Sequence, residues 1–135
     1  MNLPHHRYKL KACAPSEADI KSACEDALYR LYALRKVAWY ARINGGARKT
    51  AGAHGKVNYL WFYTLHTFGK TMQHQGISDL VGQLTDGRFF AVEVKKAGEQ
   101  PTLAQAEFLA RVNEFGGVGF VARSVDEVFD RLKKE

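Results

Sequence analysis

The stretch Gly76–Lys96, "GISDLVGQLTDGRFFAVEVKK", decides how the rest of the chain is read. Two apolar-patterned runs flank Thr85-Asp86-Gly87, the signature of a β-hairpin. The turn admits two registers. A two-residue loop, Asp86-Gly87, pairs Thr85 with Arg88 and sets Asp79 opposite Val94, mixing acids with apolar residues on each face. A three-residue loop, with Gly87 left-handed in a G1 bulge, sets Leu84, Gly82 and Leu80 opposite Arg88, Phe90 and Val92. Asp79 then faces Glu93, with Lys95 one step further on the same side. A one-residue slip exchanges the faces, so the apolar pattern selects the second register.

That register brings two carboxylates together. Directly opposed residues on antiparallel strands have Cβ atoms roughly 4.5–5.5 Å apart, and like charges there are destabilising. Such a pair shares a proton or holds a cation. A hard divalent ion with oxygen ligands, Mg²⁺ or Mn²⁺, answers the need, and Lys95 offers a positive charge to a water or a phosphate oxygen. These are the parts of metal-assisted phosphodiester hydrolysis. The bland alternative is a solvent-facing Glu-x-Lys on a half-exposed strand. Asp79 opposite, Gly76 three residues before it and the basic character of the chain weigh against it.

Working outward, "PSEADIKSACEDALYRLYALRK" has helical spacing, with Ser16 as N-cap and Glu17 and Asp19 in the first turn. Ile20, Cys24, Ala27, Leu31 and Leu34 form its expected buried stripe. Glu17 falls on that stripe; Glu25 does not. "VAWYARI" reads as a strand ending at Asn44-Gly45-Gly46, and a loop rich in Gly and Lys runs on to Lys56. "VNYLWFYTLHTF" is expected as a strand from its aromatic and Thr content, although Val57, Leu60, Trp61, Thr64, Leu65 and Phe68 also fit a helical face. Being apolar all round, it is expected to be buried, in the core or against a partner. After Pro101, "TLAQAEFLARVNEF" reads as a helix with Phe108, Leu109, Val112 and Phe115 on its apolar side, stopped by Gly116-Gly117. "VGFVA" is a buried strand. "SVDEVFDRLKK" is a last helix capped by Ser124, with Glu127 at the capping-box position. The order defines an α/β domain with a mixed β-sheet flanked by helices, αβββαβ with a C-terminal helix. It divides into a basic N-terminal arm, 1–15, and one domain, 16–135, with a basic and aromatic insert at about 47–75.

The 135 residues suffice for one core. Cys13 and Cys24 have no CxxC spacing, which argues against a zinc site or a disulfide framework and for a reducing, cytoplasmic setting. His54, His66 and His74 lack ligand spacing and read as polar loop residues. The Val57–Phe68 run is too short to span a bilayer as a helix, and the N-terminal segment has no apolar core of a secretory signal. No membrane association is expected. The formal net charge is +6, and no acidic residue lies between Asp26 and Asp79, an interval that includes Arg30, Arg35, Lys36, Arg42, Arg48, Lys49, Lys56 and Lys70. A one-sided field of this kind attracts polyanions.

The hairpin together with "LAQAEFLARVNEFGGVGFVARSVDEV" resembles the virus-type replication-repair nuclease (VRR-NUC) domain of the PD-(D/E)XK superfamily, from about Gly76 to Val128, with a looser likeness over "SEADIKSA". The insert is unmatched. The ordered set Gly-x-x-Asp, Glu-x-Lys, Gln-x-x-Phe-Leu, Gly-Gly-Val carries the resemblance; Glu-x-Lys alone is unspecific. It implies a restriction-endonuclease-like core and a Mg²⁺- or Mn²⁺-dependent DNA endonuclease. It implies that Asp79 and Glu93 bind the ion with the main-chain carbonyl of Val94, and that Lys95 positions the attacking water. Glu17 matches a first-helix glutamate that often completes the site, its alternative role being a partner of the helix dipole. Gln105 matches an accessory glutamine, although Thr102–Gln105 is also a capping box. Ser78 stands where many relatives have Pro. Arg42, Arg48, Lys49 and Lys56 are expected along the DNA backbone. Trp39, Tyr59 and Trp61 can stack on unpaired bases, with buried core as the favoured expectation. The resemblance further implies a homodimer acting on branched or four-way-junction DNA, with the apolar "VNYLWFYTL" segment as a plausible interface. The rivals are a non-catalytic nucleic-acid-binding module and the same chemistry on RNA.

Overall fold

The computed structural model describes residues 14–70 and 73–133. The basic arm, but for Ala14 and Pro15, lies outside them, as does Cys13. Helix α1 spans Glu17–Ala33 and opens with a reciprocal capping box between Ser16 and Asp19. Its buried stripe is Ile20, Cys24, Ala27, Leu28 and Leu31. Leu34, expected on that stripe, is exposed because the helix has already ended: it is the C-cap, and Arg35 turns the chain with φ +56°.

Strands β1 (Val37–Arg42), β4 (Leu80–Leu84), β5 (Phe89–Val94) and β6 (Val118–Ala122) form one sheet in the order β1-β4-β5-β6. The first two pairings are antiparallel and β5–β6 is parallel. The parallel pair is joined by α2 (Leu103–Glu114), the crossover such a pair requires. Helix α3 (Val125–Leu132) closes the chain. Ser124 caps it as expected, but the Glu127 carboxylate accepts from the Arg123 N–H at 2.7 Å, one residue upstream of the cap.

Two cores lie on opposite faces of the sheet. Leu80, Leu84, Phe90, Val92, Val94 and Phe120 pack with α1 and α3, whereas Val81 and Ala91 pack with Phe108 and Leu109 of α2. That is the strand period of two made visible. Phe115, expected on the apolar side of α2, is 71% exposed and lies under the Arg111 guanidinium, because it is the helix C-cap.

The insert departs from expectation. Ala47–Ala51 is strand β2, paired antiparallel with β3 (Val57–Trp61) as a separate two-stranded sheet. Every residue of β3 is exposed, so its apolar side chains are not core of this chain. Strand character stands for Val57–Trp61 alone, the rest of the expected run to Phe68 lying outside any strand, and core burial within this chain does not stand for β3.

Candidate functional site

The turn has the three-residue form. The Leu84 N–H donates to the Arg88 carbonyl at 2.8 Å, the Gly87 N–H donates to the Leu84 carbonyl, and Gly87 has φ +94°. Leu80 pairs with Val92 and Gly82 with Phe90, which extends to Asp79 opposite Glu93. Gly82 is required here, since a Cβ would come within 2.4 Å of the Phe90 ring and 2.3 Å of the Trp39 carbonyl oxygen.

Asp79 stands at the rim of the sheet, just before β4. Its carboxylate accepts from the Val94 N–H at 2.9 Å, capping β5 where β4 no longer runs beside it. Its other oxygen lies 2.8 Å from Lys21 Nζ of α1. Its main-chain carbonyl accepts from Ile43 just beyond β1. Upstream, Gly76 has φ +100° and lies against the first turn of α2, where a Cβ would be 2.5 Å from the Ala104 carbonyl oxygen. Gly76 is therefore required by the close approach of the α2 backbone. The ends of β1 and β5, the start of β4, the second turn of α1 and the first turn of α2 thus converge on one rim.

Glu93 is 2% exposed. Lys95 Nζ lies 3.6 Å from its Oε1, while Oε2 is buried with no hydrogen-bond partner. Burial pushes the Glu93 carboxyl up to about 8, the nearby Asp79 charge adds to the rise, and Lys95 opposes it. The wet-strand alternative fails on this burial. Ser78, 0% exposed, carries a second orphaned polar atom, Oγ. Cys24 is also buried, and its thiol is pushed up to about 11 by burial first and then by Glu127 and Asp79. It stays a thiol, without the thiolate a metal ligand or nucleophile needs.

The remaining expected residues are not drawn into the pair. Among the described residues no three His, Cys, Asp or Glu side chains gather as a metal-binding group, so Glu17 does not join Asp79 and Glu93. The first helix instead contributes Lys21, one turn further along. Its sequence signal was available: Lys21 lies four residues after Glu17 and three before buried Cys24. Gln105 serves the α2 cap, its side chain accepting from the Thr102 N–H at 2.9 Å. Arg42 pairs with Glu25 at 3.0 Å. Arg48, Lys49 and Lys56 are exposed on or beside the β2–β3 hairpin.

An ion such as Mg²⁺ or Mn²⁺ fits the donor set in one respect above all. Glu93 Oε2 is a hard oxygen that burial has left unsatisfied beside a second carboxylate. Lys21 already supplies part of the counter-charge at Asp79, so an ion there competes with it. No family model, no curated protein and no solved structure matches the chain. Among the described residues no helix is long and apolar enough to cross a membrane.

Proposed function

We propose that the chain is a Mg²⁺- or Mn²⁺-dependent DNA endonuclease of the VRR-NUC type, built on a restriction-endonuclease-like core. One observation carries this reading: a buried carboxylate, Glu93, faces a second acid across a hairpin, keeps one oxygen unpartnered, and has an ammonium group on its own face. An acid whose carboxyl is pushed this far up by burial and by a second acid beside it marks a candidate functional site. The order α1, β1, β4, β5, α2, β6 is consistent with the proposed core.

Asp79, Glu93 and the Val94 carbonyl would hold the ion. Bound there, Mg²⁺ or Mn²⁺ supplies Lewis-acid charge for the phosphoryl oxygens and acidifies water. The chain does the rest. The Val94 N–H and Lys21 fix the Asp79 carboxylate at the rim. Lys95, mostly buried, orients the attacking water and offers its charge to the phosphate oxygen on which negative charge develops. Attack of water oxygen on phosphorus breaks the bond to the departing sugar oxygen. Lys96 belongs to the other face of the strand, is paired with Glu99, and is dispensable. The preference for branched or four-way-junction DNA and the homodimer extend the same proposal.

Lys21 favours one second reading. With Lys21 on Asp79 and Lys95 on Glu93, the two acids have protein cations of their own, as in a non-catalytic nucleic-acid-binding module. A cleavage panel of single-strand, duplex, flap and four-way-junction DNA, with Mg²⁺, Mn²⁺ or chelator, separates the two. The nuclease cuts only with metal, and Asp79→Asn, Glu93→Gln and Lys95→Ala abolish cutting while DNA binding persists. Wild-type protein that binds DNA and cuts none of it with either metal establishes the binding module. Labelled RNA of equal shape, run alongside, decides the class of nucleic acid.

A further inference from the structure

Hairpin β2–β3 shares no strand pairing with the main sheet, and its apolar residues contribute to neither buried cluster. By its register Lys49 lies directly across from Tyr59 and Ala47 across from Trp61. These odd-numbered positions share one face of the ribbon. On that face the rings form a row. Trp61 is stacked on His74 at 4.7 Å with planes 3° apart, and Tyr59 follows at 6.4 Å and 29°. His74 is fixed in turn by a hydrogen bond between its Nδ1 and the Tyr63 carbonyl at 3.0 Å. Tyr59 is 55% exposed and Trp61 39%. A row of rings held in place by one another, open to solvent and flanked by lysine, is unusual for a surface that has nothing to bind.

We propose that this face is a stacking platform for unpaired nucleobases of single-stranded DNA, with Tyr59 and Trp61 receiving the bases and Lys49 meeting the adjacent phosphate. The inference rests on the nucleic-acid partner of the proposed function and adds a strand-state preference to it. Charge selects the occupant. No acidic residue occurs between Asp26 and Asp79, so a second copy of this chain docking symmetrically through this face would bring Lys49 near its own equivalent with no acid of the hairpin to offset it. A polyanion meets no such repulsion, and bases have the flat apolar faces that the rings accept. Stacking also explains why these aromatics are exposed: their partner is outside the chain.

The test is fluorescence anisotropy of labelled oligothymidylate and of a duplex of equal length, in chelator, so that cleavage plays no part. Tyr59→Ala is expected to weaken oligothymidylate binding about five-fold or more while changing duplex binding less, and Tyr59→Phe to restore it. Lys49→Gln is expected to weaken both ligands. In a Trp39→Phe background, the remaining emission from Trp61 is expected to quench on adding oligothymidylate. The proposal is overturned if Tyr59→Ala binds oligothymidylate as wild type does, or loses both ligands equally. It is also overturned if wild type is a dimer that Tyr59→Ala separates while oligothymidylate leaves the emission unchanged. Failure of the endonuclease reading appears elsewhere, as intact DNA in the presence of metal with this binding preserved.

Discussion

Burial of the Glu93 carboxyl, reinforced by Asp79, holds it protonated up to about pH 8 against an ordinary value of 4.5. Linkage turns that into a stability profile. Below about pH 4.5 the group is protonated in both folded and unfolded chains and costs nothing. Between about 4.5 and 8 the unfolded chain releases a proton that the folded one keeps, so stability falls as pH rises, by at most about 1.4 kcal/mol per pH unit from this group. Above about 8 the difference is constant. Glu93→Gln, which cannot ionise, is therefore expected to be more stable than wild type at pH 8 in chelator and to converge with it near pH 4. Urea titrations at several pH values read this directly, and parallel profiles for the two proteins refute it. Lys21 gives a second test at the same scale. Lys21→Gln removes the ammonium 2.8 Å from Asp79. It is expected to cost about 1–2 kcal/mol of stability without metal and to tighten Mn²⁺ binding, because the ion no longer competes with a resident cation. Calorimetric titration with Mn²⁺ checks the second half; weaker binding in the variant would mean that Lys21 holds Asp79 in its ligating position.

Among the elements, the β4–β5 hairpin was legible because its turn residues, its apolar alternation and its facing acids all select one register. Helices α1, α2 and α3 were legible from their caps, while their last apolar residues, Leu34 and Phe115, were not, since periodicity continues past the point where the backbone stops. Strand β2 was hidden. Ala47–Ala51, "ARKTA", carries no apolar alternation, and it is a strand only because β3 pairs with it along its length. Core placement of Trp39, Tyr59 and Trp61, the favoured expectation, fails for a related reason, all three being exposed: hydrophobicity states that a surface wants cover, not that the same chain supplies it. Two glycines separate strain from packing in these elements. Gly87 has φ +94° with nothing within 4 Å of its missing Cβ, so Gly87→Ala is expected to cost about 1 kcal/mol through backbone strain alone. Gly76 adds to its φ of +100° a Cβ only 2.5 Å from the Ala104 carbonyl oxygen. Gly76→Ala is expected to cost about 2–3 kcal/mol and to reduce cleavage as well, because the shift is transmitted to Asp79 three residues on. Urea midpoints for both variants, with one cleavage assay, test the ordering; equal costs would show that α2 yields to the new methyl group.

At the scale of the whole molecule, the rim that holds Asp79 and Glu93 is tied to Ile43, from which the chain runs directly into a hairpin whose described charges are all positive. A phosphate backbone held there releases counterions, so affinity falls as salt rises, with a slope that counts the charges engaged. The structure divides the expected backbone contacts into two kinds. Arg48, Lys49 and Lys56 are exposed, and neutralising any one of them to Gln is expected to reduce the slope of log K against log salt by about one. Arg42 is already paired with Glu25 at 3.0 Å. With its charge engaged by Glu25 it neutralises no phosphate and releases no DNA counterion, so Arg42→Gln is expected to change the slope by well under one, and the double variant Glu25→Gln/Arg42→Gln by less still. Duplex binding measured across a salt series discriminates these cases, because a full unit lost at Arg42→Gln alone would mean that the pair with Glu25 opens to give its arginine to the phosphate.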